Sequence, residues 1–351
     1  MTVVAELGAM TAPHRGARPV ALWLFAIAVL IVAMVLVGGL TRLTDSGLSI
    51  VEWKPATGWI PPLSEAAWQA EFDKYKQFPE YQKINRGMDL AGFKSIFWLE
   101  FGHRVLGRVV GLVFAVPLAI FLFMGMIQRS LVPRLIAILV LGGTQGALGW
   151  WMVKSGLVDR PDVSPFRLAA HLGLAVLLYI LVIRTALQLW QPVIATPAPA
   201  TRAARVALVL TFIQILFGAL VAGLDAGLIY NTWPLMDGRI APLYLMGTYQ
   251  PLWLDPFENV ATAQFQHRMM AYVVVAAVAW LWWRAQGGQG RRWADVSLVA
   301  VLLQAGLGIA TLLYVVPIGL AVLHQLGAVA LITFLLACEH FSRTSACPAI
   351  R

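Results

Sequence analysis

Residues 101–113 read FGHRVLGRVVGLV, and residues 265–277 read FQHRMMAYVVVAA. In both, a Phe-x-His-Arg block opens an apolar run. The correspondence continues on either side. TQGALG at 144–149 resembles LQAGLG at 303–308, and AAHLGLAVLL at 169–178 resembles VLHQLGAVAL at 322–331. VGGLTRLTDSGLS from Val37 matches VAGLDAGLIYNTWP from Val221, aligned with a four-residue insertion before a shared Asp-x-Gly-Leu. Self-similarity at this scale means two copies of one structural unit. The boundary falls near residue 195, within QPVIATPAPATRAAR. It separates an N-terminal unit, 1–195, with a long outer loop over 41–100, from a C-terminal unit, 196–351.

Composition identifies the solvent of these units. The chain is 60% hydrophobic and only 12% charged over 351 residues, far too apolar for a soluble domain. Apolar runs long enough to cross a bilayer core of about 30 Å lie at about 20–40, 103–127, 131–152, 168–190, 204–224, 264–284, 295–315 and 319–340. The expected fold is therefore an all-α integral membrane protein, with eight transmembrane helices arranged as two pseudo-symmetric four-helix bundles in tandem. An even number of crossings per unit gives both halves one orientation, related by an axis along the membrane normal.

Orientation follows from the arginines. Arg15, Arg18, Arg129, Arg134, Arg202, Arg205, Arg291 and Arg292 fall in segments of one side, whereas the short connections of the other side hold little more than Lys154, Arg160, Arg167 and Arg239. The positive-inside rule then places both termini in the cytoplasm. The net charge of +9 reports this topology and implies no nucleic-acid partner. The first apolar run is too long for a signal-peptide core and reads as a retained helix. The expected address is a bacterial inner (cytoplasmic) membrane. Cys338 and Cys347 lie towards the reducing side, so no structural disulfide is expected.

Six histidines remain to be placed. His14 in the N-terminal tail and His340 at the inner end of the last run read as solvated or snorkelling residues. His103, His171, His267 and His324 open the second, fourth, sixth and eighth runs, one or two turns below the outer surface. A lone membrane histidine is usually a helix–helix hydrogen-bonding residue, but four at one depth, two per repeat, point to function. Histidines on facing helices are how bundles clamp cofactors. Zinc would want three or four protein ligands. A heme needs one or two, because the macrocycle supplies the rest. One heme per unit, near the outer face, is the economical reading.

Charged neighbours refine it. Arg104 and Arg268 occupy equivalent positions, and Arg108 lies one turn beyond Arg104; their guanidinium groups are candidates for heme propionates, with lipid phosphate as the alternative. Glu100 precedes His103 by three residues, on the same helical face, and its counterpart is Gln264. A carboxylate can act as base, nucleophile or stabiliser of a cation, whereas a glutamine only hydrogen-bonds. The N-terminal site is expected to be the reactive one and the C-terminal site to hold an electron-transfer cofactor. A purely structural Glu100–Arg104 pair is the competing reading.

The Glu-Phe-Gly-His-Arg block at 100–104, RGMDLAGFKSIFW at 86–98, GLTRLTDSGLS at 39–49, FQHR at 265–268 and LHQLG at 323–327 together resemble the heme A synthase family, which converts heme o to heme a for cytochrome oxidase. The resemblance runs from the first helix to the last. It implies heme b in the C-terminal half, ligated by His267 and His324, and heme o as substrate in the N-terminal half, flanked by His103 and His171, with Glu100 as the essential acid. Some members carry a cysteine pair in the first outer loop. This chain has none between 41 and 100 and looks like the branch related to the mitochondrial enzymes.

The chemistry so implied is oxidation of one porphyrin methyl to a formyl group by successive hydroxylation. Glu100 would stabilise a carbocation or activate water, and the farnesyl tail would need an apolar slot open to lipid. Implied partners are heme o, the farnesyltransferase (heme o synthase) that makes it, membrane lipid and an unidentified electron acceptor; self-association is left open. Two rivals come from other classes: a diheme, quinol-linked electron-transfer cytochrome b, and a heme transporter or chaperone. Neither accounts for the Glu100/Gln264 asymmetry. Within the loop, EAAWQAEFDKYKQFPEYQKI at 65–84 spaces Trp68, Phe72, Tyr75 and Tyr81 as an amphipathic helix lying over the outer mouth, or as a solvated surface helix.

Overall fold

The computed structural model describes residues 16–158, 161–192 and 198–343. His14, Cys347 and the unit boundary at residue 195 lie outside the described residues. Among the described residues there are eleven α-helices, two short 3-10 turns and no strand. The helices are α1 (Ala17–Leu43), α2 (Glu65–Tyr75), α3 (Pro79–Lys83), α4 (Leu90–Phe123), α5 (Val132–Gly156), α6 (Pro165–Trp190), α7 (Pro199–Gly223), α8 (Asp255–Glu258), α9 (Val260–Arg284), α10 (Arg291–Leu313) and α11 (Ile318–Phe341). Local chemistry sets their starts. The side chains of Ser64, Asp89 and Asn259 cap α2, α4 and α9 by accepting from Ala67 N, Gly92 N and Ala261 N, and proline opens α5, α6 and α7, where its missing N–H costs nothing.

Seven of these helices, α1, α4, α5, α6, α7, α10 and α11, are long and apolar enough to cross a membrane. Helix α9 is as long as α5, at 25 residues, but Gln264, Gln266, His267 and Arg268 dilute its apolar character.

The pairing of the long helices repeats. In the first half α1 packs on α4 and α6, and α5 on α4 and α6; in the second, α7 packs on α9 and α11, and α10 on α9 and α11. Contacts between the halves run α6 to α7, α1 to α11 and α6 to α11, a set that exchanges into itself when the halves are swapped. The shared core includes Leu24, Ile27, Ala203, Ala207, Leu281, Ile332 and Leu335. Alanines at four positions in the first turns of α7, Ala200, Ala203, Ala204 and Ala207, are buried, which lets neighbouring backbones approach.

Three expectations are corrected. Helix α4 begins at Leu90, not near residue 103, and runs 34 residues, about 50 Å at 1.5 Å per residue. Its first turns therefore project beyond an apolar slab of about 30 Å, and His103 lies deep in the helix rather than at its mouth. The single helix expected over 65–84 is broken after Tyr75 into α2 and α3. Helix α2 lays Trp68, Phe72 and Tyr75 against Phe93 and Phe97 of that projection, with Phe72 and Phe93 stacked at 5.0 Å. His340, expected to be solvated, is buried and pairs through Nε2 with the Gln191 carbonyl at 3.0 Å.

The register of the repeat is also simpler than the sequence alignment implies. Helices α1 and α7 end at Leu43 and Gly223, and two residues on, Asp45 and Asp225 both take the left-handed conformation, at φ 46° and 50°. Gly38 therefore corresponds to Gly218, Arg42 to Ala222 and Asp45 to Asp225, with no insertion. Arg42 ties the two ends together, donating to Asp45 at 3.0 Å and Asp225 at 2.7 Å.

Candidate functional site

The four membrane histidines occupy matched places. His103 on α4, His171 on α6, His267 on α9 and His324 on α11 are each half-buried, and each ring rests on a glycine of a neighbouring helix. A Cβ added at Gly38 would come within 3.1 Å of His103 Nε2; at Gly149, within 2.9 Å of His171 Cε1; at Gly218, within 3.1 Å of His267 Cε1; at Gly308, within 2.7 Å of His324 Cε1. Glycine at these positions makes the room that the rings fill. His267 and His324 face each other with ring centroids 6.3 Å apart and planes at 84°. His103 and His171 make no such ring contact among the described residues.

This arrangement can be tested against a metal and against a heme. Among the described residues no group of three or more His, Cys, Asp and Glu is placed to hold a metal ion, so an iron would have to bring its own equatorial nitrogens. Two imidazoles each about 2.0 Å from a shared metal would stand with ring centres roughly 6 Å apart. The His267–His324 pair meets that requirement, and a flat macrocycle needs the close, side-chain-free walls that glycine provides. The donor set fits a bis-histidine heme.

Glu100 sits one turn before His103, 3% exposed, at the meeting point of α4 and the connection leaving α1. Four donors converge on its carboxylate: Ser49 Oγ at 2.7 Å and the Ile50 N–H at 2.8 Å on Oε2, and Arg104 Nε at 3.0 Å and Nη2 at 2.6 Å on Oε1. Gln264 holds the equivalent place with reversed polarity. Its amide nitrogen donates to the carbonyls of Ala226 at 2.7 Å and Ile229 at 2.6 Å, and its oxygen accepts from Arg268 Nη2 at 3.0 Å. The same keystone is built once from a carboxylate and once from an amide.

The three arginines are tied to the connections that follow α1 and α7. Arg104 donates to the carbonyls of Ile50 and Glu52, Arg108 to those of Lys54 and Pro55, and Arg268 to those of Tyr230 and Leu235. Arg108 Nη1 and Arg268 Nε are nonetheless buried without a partner, one unused donor per unit near each histidine pair, which suits a carboxylate-bearing ligand. Around the first pair the walls are open. No residue of α4 from Phe101 to Val113, and none of α5 from Leu139 to Ser155, is buried, and nothing approaches a Cβ placed at Gly142, Gly143 or Gly146. Trp53 and Trp150, stacked at 5.9 Å, and Arg104 over the Trp150 ring close the outer end.

Sequence reading missed two features. One is the glycine behind each histidine. The other is a glutamine one turn before three of those glycines: Gln145, Gln214 and Gln304 direct their side-chain amides to the carbonyls of His171, His267 and His324 at 3.0, 3.0 and 2.7 Å. The signal was present in TQGALG and LQAGLG, whose shared Gln-x-x-x-Gly spacing puts both residues on one helix face.

Comparison with known proteins shows the family of the chain. Residues 21–336 match the family model described as cytochrome oxidase assembly protein. The chain is 48% identical over 350 residues to the heme A synthase of Parvibaculum lavamentivorans, covering 98% of this chain and 99% of that one. It is 50% identical over 319 residues to the heme A synthase of Azorhizobium caulinodans, covering 90% and 91%, and 47% identical over 356 residues to that of Rhodospirillum centenum, covering 98% and 94%.

Proposed function

The chain belongs to the heme A synthase family, and from that membership we propose a division of labour between its two units. The enzyme is an integral membrane oxidoreductase that converts heme o to heme a for cytochrome oxidase. In our reading the N-terminal unit, 1–195, takes heme o between His103 and His171, and the C-terminal unit, 196–351, keeps a heme b on His267 and His324. The observation that carries this assignment is the His267–His324 pair, 6.3 Å apart and perpendicular over Gly218 and Gly308, against a His103–His171 pair that makes no such ring contact among the described residues. A ligand that stays suits the tighter pair. A ligand with a farnesyl tail that enters from lipid suits the open one.

The resident heme, when bound, supplies one-electron redox chemistry next to the substrate site. The residues of this chain supply the rest. His103 and His171 orient the substrate macrocycle, Arg104, Arg108 and Arg268 offer donors to propionates, and Glu100 holds negative charge near the reacting edge. Four donors already point at that carboxylate, so it serves as a preorganised charge that favours cationic character developing at the oxidised methyl.

The topology belongs to the same proposal. Helix α9 spans as the sixth of eight crossings, both termini are cytoplasmic, and the four histidines lie towards the periplasmic side of the inner membrane.

Purification from membranes, extraction of the bound heme and chromatography of the pigments test the assignment. Heme b together with heme o, heme a or a hydroxylated intermediate is expected. Heme b alone in two equal sites would instead favour a diheme electron-transfer cytochrome, and unaltered heme o turned over without product would favour a carrier.

A further inference from the structure

The glutamine clamp is present three times and absent once. By the register fixed at Asp45 and Asp225, the residue of α1 that corresponds to Gln214 of α7 is Met34. Its methyl lies against α4 at Gly107, 3.7 Å from where a Cβ would stand, one turn beyond His103. Among the described residues no hydrogen bond reaches the ring of His103 or that of His324, but the His324 carbonyl accepts from Gln304 and no glutamine amide reaches the His103 carbonyl.

The ring responds to this. At His171, His267 and His324 the ring atom nearest the glycine is Cε1, with both nitrogens 3.3–3.9 Å from where a Cβ would stand; at His103 it is Nε2, with Cδ2 next. Gln145 Nε2 and Gln214 Nε2 also lie 3.2 and 3.1 Å from the Nδ1 atoms of His171 and His267, and all three glutamine Oε1 atoms are buried without a partner. His103 alone has no amide to hold it.

We propose that Gln145, Gln214 and Gln304 are positioning residues that hold three of the four histidines through their backbone carbonyls for durable iron ligation, and that Met34 makes His103 the exchangeable ligand of the N-terminal unit. The inference rests on the reading of the four histidines as axial ligands. Its logic is that of turnover. A resident heme profits from two clamped ligands, and the unit with Gln214 and Gln304 has them. A heme that must arrive as substrate and leave as product needs one ligand that lets go, and the unit with Gln145 and Met34 has it. Outer partners that orient a metal-ligating histidine are worth about 10–100-fold in affinity, the range needed to separate a cofactor from a substrate.

The test measures release of heme, not activity. Purified protein is loaded with heme o in detergent and mixed with excess apomyoglobin, and transfer is followed in the Soret band. Wild type should show a fast phase from the N-terminal unit and a slow phase from the C-terminal one. Met34→Gln should slow the fast phase by about tenfold or more, while Met34→Leu should leave it unchanged. Gln214→Met should accelerate the slow phase by a similar factor, and remains informative if Met34→Gln fails to fold. A fast phase unchanged in folded Met34→Gln, or a slow phase unchanged in Gln214→Met, overturns the proposal. Should His267→Ala and His324→Ala leave the slow phase and the heme spectrum intact, the ligand reading beneath it has failed instead.

Discussion

The Glu100 carboxylate accepts a 2.7 Å hydrogen bond from the Ser49 hydroxyl, and this contact fastens the connection leaving α1 to the helix that carries His103. With the Ile50 N–H and Arg104 added, every partner of Glu100 is a donor. Glutamine, the natural residue at the equivalent position of the second unit, cannot be accommodated here as it is there, because the first unit faces it with N–H and O–H groups and the second with carbonyls.

Glu100→Gln should therefore do two things. It turns an amide NH2 towards donors and leaves the half-buried Arg104 without its anion, costing on the order of 3 kcal/mol, and it removes the charge assigned to catalysis. Pigment analysis should show heme b retained, heme a lost and heme o accumulated, with a lower melting temperature. Ser49→Ala deletes one donor, costs about 1 kcal/mol and should keep conversion. Full heme a formation in Glu100→Gln would make the carboxylate structural only.

Replacing His267 or His324 with Ala should lower retention of the resident heme or convert its low-spin spectrum, because a six-coordinate iron cannot lose an axial ligand unchanged. Absorption spectra of the two purified variants decide this. If both match wild type, the resident heme is held elsewhere.

Much of this was legible in the sequence because the chain states it twice. Phe101 to Val113 against Phe265 to Ala277 exposed the duplication, the four histidines and the Glu100/Gln264 exchange, since identity of residue type survives in those helices. Three things were not legible. The start of α4 at Leu90 was hidden because Phe93 and Phe97 are core to α2 rather than to lipid, so the run reads as loop until Asp89 is seen to cap it. The α1 to α7 register was misaligned because Val37-Gly-Gly-Leu and Val221-Ala-Gly-Leu look alike, while the true match rests on two left-handed aspartates that residue names do not encode. The partner of each histidine was invisible because a glycine signals room only when its neighbour is known.

Glu80 in α3 makes stability pH-dependent. Burial pushes its carboxyl up to about 8, against the lowering effect of the Tyr75 hydroxyl, so between about 4.5 and 8 the folded protein binds a proton that the unfolded chain has released. Stability from this group is present at the acidic end of that window and lost as pH rises through it. Glu80→Gln should flatten the fall in melting temperature across the window. A variant whose melting curve tracks wild type at every pH would show that Glu80 is not the group responsible.

Topology is open to direct measurement. Reporters fused after about residue 80 or within 225–258 should read as periplasmic, and those after 197 or 289 as cytoplasmic, following the arginine distribution. A periplasmic signal after residue 289 would mean that α9 does not cross as proposed, and would put His324 on the wrong side for a site shared with His267.

Glu339 offers a test of how the halves are joined at the end of the bundle opposite the histidines. One buried oxygen, Oε1, accepts from Arg184 of α6 at 2.6 Å, Arg205 of α7 at 2.8 Å and Arg343 at 3.0 Å, so a single anion holds cations from both units. Glu339→Gln leaves three guanidinium groups facing each other. Removing one partner of a buried pair costs about 3–5 kcal/mol, and the lower end applies because Arg184 and Arg205 are 36% and 45% exposed and water screens them. Arg205→Ala should cost less, since two cations still balance the carboxylate. Raising the salt should restore part of the loss in Glu339→Gln, where the damage is repulsion, and little in Arg205→Ala. Thermal unfolding of both variants in detergent at low and high ionic strength reads this out. Equal salt responses would place the contribution of Glu339 in packing rather than in charge.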